Sequence, residues 1–256
     1  MKSLPLVFVF CLFTSVGFSQ KPLISGIYDN FFADALGNFY TLKDHTICKY
    51  NPKGKKIHEY SDFMRGEISW LDVSNPLKIL VYYKDFDMLI FLDNYLSPSS
   101  KPISLSEHDI ASSSTAGLSH DNGIWVFDHA AAHLIRLNHT LNKTHESGNI
   151  SLSENEKVQF IHQNNQDVLL VTNQRVFLFD QFATYKKHLP LPDYQAITWG
   201  NQSVVYQYDN QLTIYNYKTE KVTSIPFEEP AVQHLRLQNN TLYYHNKQGI
   251  FQVPFE

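Results

Sequence analysis

From Gly26 onward apolar and polar residues alternate in short runs, and Asn, Asp, Gly and Lys separate one run from the next. A period of two places successive side chains on opposite faces of an extended chain, so each run reads as a β-strand. A helix would need apolar residues at i, i+3, i+4 and i+7 with capping residues at its ends, and no stretch after Gly26 sustains that spacing. The pattern predicts an all-β chain.

The runs also recur as a unit: strand, tight turn, second strand, turn, third strand. Its first copy covers 33–42, 46–50 and 56–60, the last strand following an Asn51-Pro52-Lys53-Gly54 turn. Later copies pair 78–82 with 88–92, 121–127 with 133–137, 167–171 with 175–180, 202–206 with 211–215, and 240–244 with 249–253. Taking Phe39, Val81, Trp125, Leu169, Val205 and Tyr243 as equivalent gives separations of about 36 to 44 residues. A period near forty with four strands per unit is the spacing of β-propeller blades. Residues 20–256 spread over six units also give about forty residues each. The sixth unit stops at Glu256 after its third strand, and Pro22-Leu23-Ile24-Ser25 precedes the first unit. The expected architecture is therefore a six-bladed β-propeller whose last blade is closed by an N-terminal strand, which removes the exposed sheet edge of an open array.

The residues Asp34-x-x-Gly37-Asn38-x-Tyr40, followed by Ile47-x-Lys49-Tyr50-Asn51-x-x-Gly54-Lys55, carry a family resemblance. They are similar to the blades of secreted bacterial propellers of the NHL and quinoprotein-like repeat type. Asp121-Asn122-Gly123-Ile124-Trp125 is a shorter version, and the other units keep the strand rhythm without the motif. This resemblance implies a fold far more than a function.

The first nineteen residues read as an address. Lys2 precedes an apolar run from Leu4 to Phe18, and Gly17-Phe18-Ser19 places small residues at positions −3 and −1 of a cut before Gln20. The run is interrupted by Pro5, Thr14 and Ser15, too short for a bilayer span. The expectation is a signal peptide over 1–19, one propeller domain over 20–256, a secreted or periplasmic location and no membrane span after cleavage. Cleavage removes Cys11 and leaves Cys48 alone, so no internal disulfide can staple the domain; Cys48 reads as a packed thiol. Asn-x-Ser/Thr triplets begin at Asn138, Asn142, Asn149, Asn201 and Asn239 and matter only in a eukaryotic source.

Composition then narrows the partners. A net charge of −4 with scattered Lys and Arg lacks the basic stripe that nucleic acid requires, and 14% aromatic residues exclude a disordered chain. The densest histidine group, His120, His129, His133, His139 and His145 with Asp121 and Asp128, reads as surface and loop residues, because no third ligand has metal-site spacing. Innermost strands are expected near 27–33, 68–73, 110–114, 158–162, 196–199 and 232–237. Their polar residues, Asp29, Asp34, Asp72, His162, His234 and Arg236, would ring the channel mouth. Tyr82-Tyr83, Tyr206, Tyr208 and Tyr243-Tyr244 are expected to place one ring between blades and the other outward; an outward ring would offer a recognition surface, while blade packing alone explains most of them. Arg65, Arg136, Arg175 and Arg236 do not form a sialidase-like triad, since Arg136 and Arg175 fall on third strands; nor does a gluconolactonase-like ligand set appear. Nucleophile-elbow, phosphate-loop, dinucleotide and paired-cysteine motifs are also missing from the sequence. The reading is an exported, non-catalytic binding module for an envelope or surface protein or glycan, with no cofactor expected. Its alternative is a divalent-metal-dependent hydrolase or lyase at the central channel, drawing on Asp29, Asp72, His162 and His234.

Overall fold

The computed structural model describes residues 21–229 and 231–255; the expected signal peptide lies outside the described residues. Six four-stranded antiparallel sheets form the blades. Blade 1 is β2 (Asn30–Ala33), β3 (Phe39–Lys43), β4 (Thr46–Tyr50) and β5 (Lys56–Ser61); blade 2 is β6 (Trp70–Asp72), β7 (Ile79–Tyr83), β8 (Met88–Leu92) and β9 (Ile103–Ser104). Blade 3 follows with β10 (Ser113–Leu118), β11 (Ile124–Asp128), β12 (His133–Leu137) and β13 (Lys143–Glu146). Blade 4 has β14 (Val158–Asn164), β15 (Asp167–Thr172), β16 (Arg175–Asp180) and β17 (Tyr185–Pro190), and blade 5 has β18 (Ala196–Gly200), β19 (Ser203–Tyr208), β20 (Gln211–Asn216) and β21 (Val222–Pro226). Blade 6 takes β22 (His234–Gln238), β23 (Thr241–Asn246) and β24 (Gly249–Pro254) from the end of the chain and its outer strand, β1 (Ile24–Ser25), from the beginning.

The six-bladed ring and its N-terminal closure agree with the reading of the repeat. Ile24 pairs with Ile250 and Ser25 with Gly249, and Leu23 N donates to Ile250 O at 2.8 Å. Gly249 is required there: a Cβ would lie 2.2 Å from Ile24 O, and its φ of +150° is one that side chains rarely adopt. The innermost strand of blade 3 differs from expectation, beginning at Ser113 and running to Leu118 rather than spanning 110–114. Small residues fill it, and at Gly117 a Cβ would stand 2.8 Å from Ile161 O, so β10 and β14 approach closely.

Burial follows position within a blade. Second strands are buried along their length, as in β7, β11 and β15, whereas outer strands such as β13 and β17 are mostly exposed. Apolar residues divide into six clusters, each between two neighbouring blades. Both faces of every blade therefore pack, which corrects the expectation for the tyrosine pairs. Tyr83 enters the layer between blades 1 and 2 and Tyr82 the layer between blades 2 and 3, and both are fully buried. Tyr244 and Tyr243 likewise serve the layers on the two sides of blade 6. Alternation moves a ring to the opposite interface, not into solvent; of the six tyrosines only Tyr208 is exposed.

The repeat motif is also more widespread than the first blade suggests. In the turn between third and fourth strands, one Asx side chain accepts two backbone N–H bonds: Asn51 from Lys53 and Lys55, Asp93 from Tyr95 and Ser97, and Asn138 from Thr140 and Asn142. Asp180 does the same with Phe182 and Thr184, and Asn216 with Lys218 and Thr219. Blade 6 has no such turn because its fourth strand comes from the other end of the chain.

Candidate functional site

Four antiparallel strands return the chain to the end of the ring at which each blade began, so all six inner strands run in one direction along the axis. Residue order along them is therefore height in the channel. Two cavities, of about 350 and 470 Å³, divide by that order. The first is bordered by later residues, among them Asp72, His162, Trp199 and Gln238; the second by earlier ones, among them Asn30, Gln159, Tyr194 and His234. They are the two mouths of the channel, and among the described residues only Trp70 and Arg236 border both.

Between the mouths stands an aromatic plug. Trp70 from β6 stacks on Phe160 from β14 at 5.3 Å and 5° between planes, and Phe160 meets Trp199 from β18 at 4.2 Å. Phe32 from β2 meets the Trp70 ring edge to face at 5.1 Å. Attention to polar residues missed these rings. Their signal was available: the expected inner segments at 27–33, 68–73, 158–162 and 196–199 each contain one of them.

Arg236 lies against the plug from blade 6, only 8% exposed. Its guanidinium carbon is 4.7 Å from the Phe32 ring centre, 5.9 Å from Trp70 and 6.0 Å from Trp199. Nη1 donates to Leu235 O at 2.6 Å, Nη2 donates to Asn30 Oδ1 at 2.7 Å, and buried Nε has no partner among the described residues. Burial pushes its pKa down to about 9. The other three arginines each meet a carboxylate: Arg65 pairs with Asp62, Arg136 with Asp121 and Arg175 with Glu156. Among the described residues no carboxylate pairs with Arg236.

The four residues of the metal-enzyme alternative separate two and two. Asp72 and His162 border the first mouth. Asp72 Oδ1 accepts from Ser74 N at 2.9 Å and Oδ2 from Leu118 N at 2.7 Å, tying blade 2 to blade 3, while burial pushes its pKa up. His162 lies 4.8 Å from the Trp199 ring, and burial pushes its pKa down to about 3. At the other end, His234 stacks on His245 at 5.7 Å and accompanies Asp29. Burial first, then the Arg236 charge, pushes the His234 pKa down to about 3, although the ring bonds to the Asp29 backbone. The Asp29 carboxylate is exposed and accepts from Asp44 N at 2.6 Å.

Asp34 belongs to a turn and not to a mouth. Its carboxylate accepts from Leu36 N, Asn38 N, Asn38 Nδ2 and Tyr40 Oη at 2.8–2.9 Å, so the Asp-x-x-Gly-Asn-x-Tyr motif is a structural brace. The histidine group around blade 3 is spread out. His120 bonds to Gln163, His133 to Glu146 and His145 to Thr144, and His129 and His139 are exposed. Among the described residues no three His, Cys, Asp or Glu side chains group as a metal site. Cys48 is half-buried, its Sγ 3.7 Å from Glu59 Oε2, and burial dominates in pushing its pKa up.

No protein-family model matches the sequence, and no curated protein matches it. Solved structures do. The WD40 domain of Neurospora crassa Pan2 aligns with a TM-score of 0.63 at 12% identity, over 91% of this chain and 81% of that one. A streptogramin B lyase aligns with a TM-score of 0.62 at 12% identity, over 93% and 85%. BBS1N, solved in complex with ARL6DN, aligns with a TM-score of 0.59 at 13% identity, over 86% and 75%. The chain has a β-propeller fold. These neighbours include both an enzyme and a domain bound to another protein, so the fold they share does not select between the two. No described helix is long and apolar enough to cross a membrane.

Proposed function

We propose that the protein is an exported interaction module that binds an envelope or surface protein through one face of the ring. The observation that carries this reading is a group of exposed apolar residues on loops of blades 1 and 2. Phe63 is 76% exposed and Met64 89%, both between β5 and β6, and Phe86 is 53% exposed in the turn between β7 and β8. Strand direction puts both loops on the face of the second mouth. Contacts link them: His45 lies 5.5 Å from the Phe63 ring and bonds through Nδ1 to Gly66 O at 2.7 Å, and a Cβ on Gly66 would stand 3.1 Å from Phe86. Water contact with such side chains is unfavourable, and grouped exposure of this kind marks contact surfaces. A propeller suits the role because its packed blades hold loops rigidly while their sequences vary. BBS1N, bound to ARL6DN, shows the same fold engaged with a protein. Export rests on the Lys2 and Leu4–Phe18 pattern.

The test is site-specific photo-cross-linking in the native cell, with a photoreactive residue at Met64 or at Val222, which is exposed on the outer strand of blade 5. A discrete protein adduct at Met64 and none at Val222 is expected, from a chain whose N-terminus begins at Gln20. Equal adducts at both positions, or none at Met64, overturn the interaction surface. Retention of Lys2 overturns export.

A further inference from the structure

Arg236 presents a buried cation without a countercharge among the described residues. A guanidinium removed from water loses several kcal/mol of solvation, which a carboxylate partner ordinarily offsets. The rings of Phe32, Trp70 and Trp199 attract the cation through their faces, but at 4.7–6.0 Å they only partly replace that partner. Nη1 and Nη2 have one protein acceptor each and Nε has none, so N–H donors remain for a ligand. The first mouth opens onto this group and has three of its aromatic neighbours as walls.

From this arrangement we infer that the first mouth is a binding site for a small aromatic carboxylate, whose anionic end meets Arg236 and whose ring lies against Trp70 and Trp199. One cation selects one negative charge. Among the described residues no lysine or second arginine borders either mouth; the first is otherwise lined by aliphatic, aromatic, imidazole, amide and hydroxyl groups apart from Asp72, whose two oxygens already accept backbone N–H bonds, and the second carries the carboxylate of Asp193. A phosphate dianion would want more positive charge, whereas a carboxylate matches the planar N–H edge of one guanidinium. A cavity of about 350 Å³ lies in the range of small-molecule sites.

Melting curves and tryptophan fluorescence test this with benzoate, 1-naphthoate, benzamide and inorganic phosphate as probes. Benzoate and 1-naphthoate should raise the melting temperature saturably, by roughly 5–10 °C at about a hundred times the dissociation constant. Benzamide, which has the ring without the charge, and phosphate, which has charge without the ring, should not. Arg236→Met retains the stem and removes the charge; it should melt no lower than the wild type without ligand and should lose the carboxylate response. Equal shifts with benzoate and benzamide, no saturable benzoate effect on the wild type, or a benzoate response retained in Arg236→Met would each overturn the site. If Arg236→Met does not fold, the wild-type comparison of benzoate with benzamide decides alone.

Discussion

His162, His234 and His245 are imidazoles whose pKa burial lowers, to about 3 for the first two. These folded-state values lie below the ordinary 6.5 of a solvated histidine, so the unfolded chain binds the additional protons. Their contribution to stability is complete above about pH 6.5 and is lost progressively as pH falls toward 3. Carboxylates whose pKa the fold lowers, such as Glu156 and Asp167, titrate at lower pH, and Asp72, whose pKa burial raises, acts in the opposite direction, so a loss of stability between about pH 6.5 and 5 belongs to the histidines. Melting temperature should fall across that interval, and His162→Gln and His234→Gln should each flatten the slope. An unchanged slope in both variants would mean that these rings titrate normally. At the same scale, Asp34 shows why a motif can be legible while its role is not. The sequence displays the aspartate at the end of an inner strand, where a mouth residue and a turn brace look alike; only its four hydrogen bonds distinguish them.

Among the elements, β1 has the greatest consequence for its size. Two residues complete blade 6, and Ile24 is buried with Phe31, Phe39 and Ile250 between blades 6 and 1. Deleting residues 22–24 removes the outer strand and this apolar contact, and Gly249→Ala forces a side chain into the backbone of β1. Each change should lower the melting temperature by roughly 5–15 °C, from the usual cost of losing a buried aliphatic residue. An unchanged melting temperature in the deletion would refute ring closure by β1. The missing fourth strand was legible because the repeat stops short at one end of the chain and a spare apolar segment stands at the other. The start of β10 was less legible, since Ser113, Ser114, Thr115, Ala116 and Gly117 carry little alternation of hydrophobicity. Close approach to β14 places this strand.

At the scale of the whole molecule, each of the six clusters is shared by two blades, and the ring has no terminal blade that could fray independently. Trp70, Trp125 and Trp199 report on blades 2, 3 and 5, so denaturation followed by tryptophan fluorescence and by far-ultraviolet circular dichroism should give coincident transitions. Separated midpoints would show that blades unfold as independent units. The same sharing explains the tyrosine pairs: a strand in an isolated sheet has one wet face, whereas a blade has a neighbour on both.

The sequence by itself determined the strand rhythm, the six units and the closure of the last blade, because each is a local or periodic property of the chain. Tertiary structure decided which residues meet at the axis. Phe32, Trp70, Phe160, Trp199 and Arg236 come from five blades, and no spacing along the chain encodes their contact. It also decided that Arg236, among the described residues, lacks the carboxylate that its three counterparts have, and that Asp72 with His162 and Asp29 with His234 stand at opposite mouths. Charge compensation and convergence depend on distance in space, which closing the ring sets and the order of residues does not.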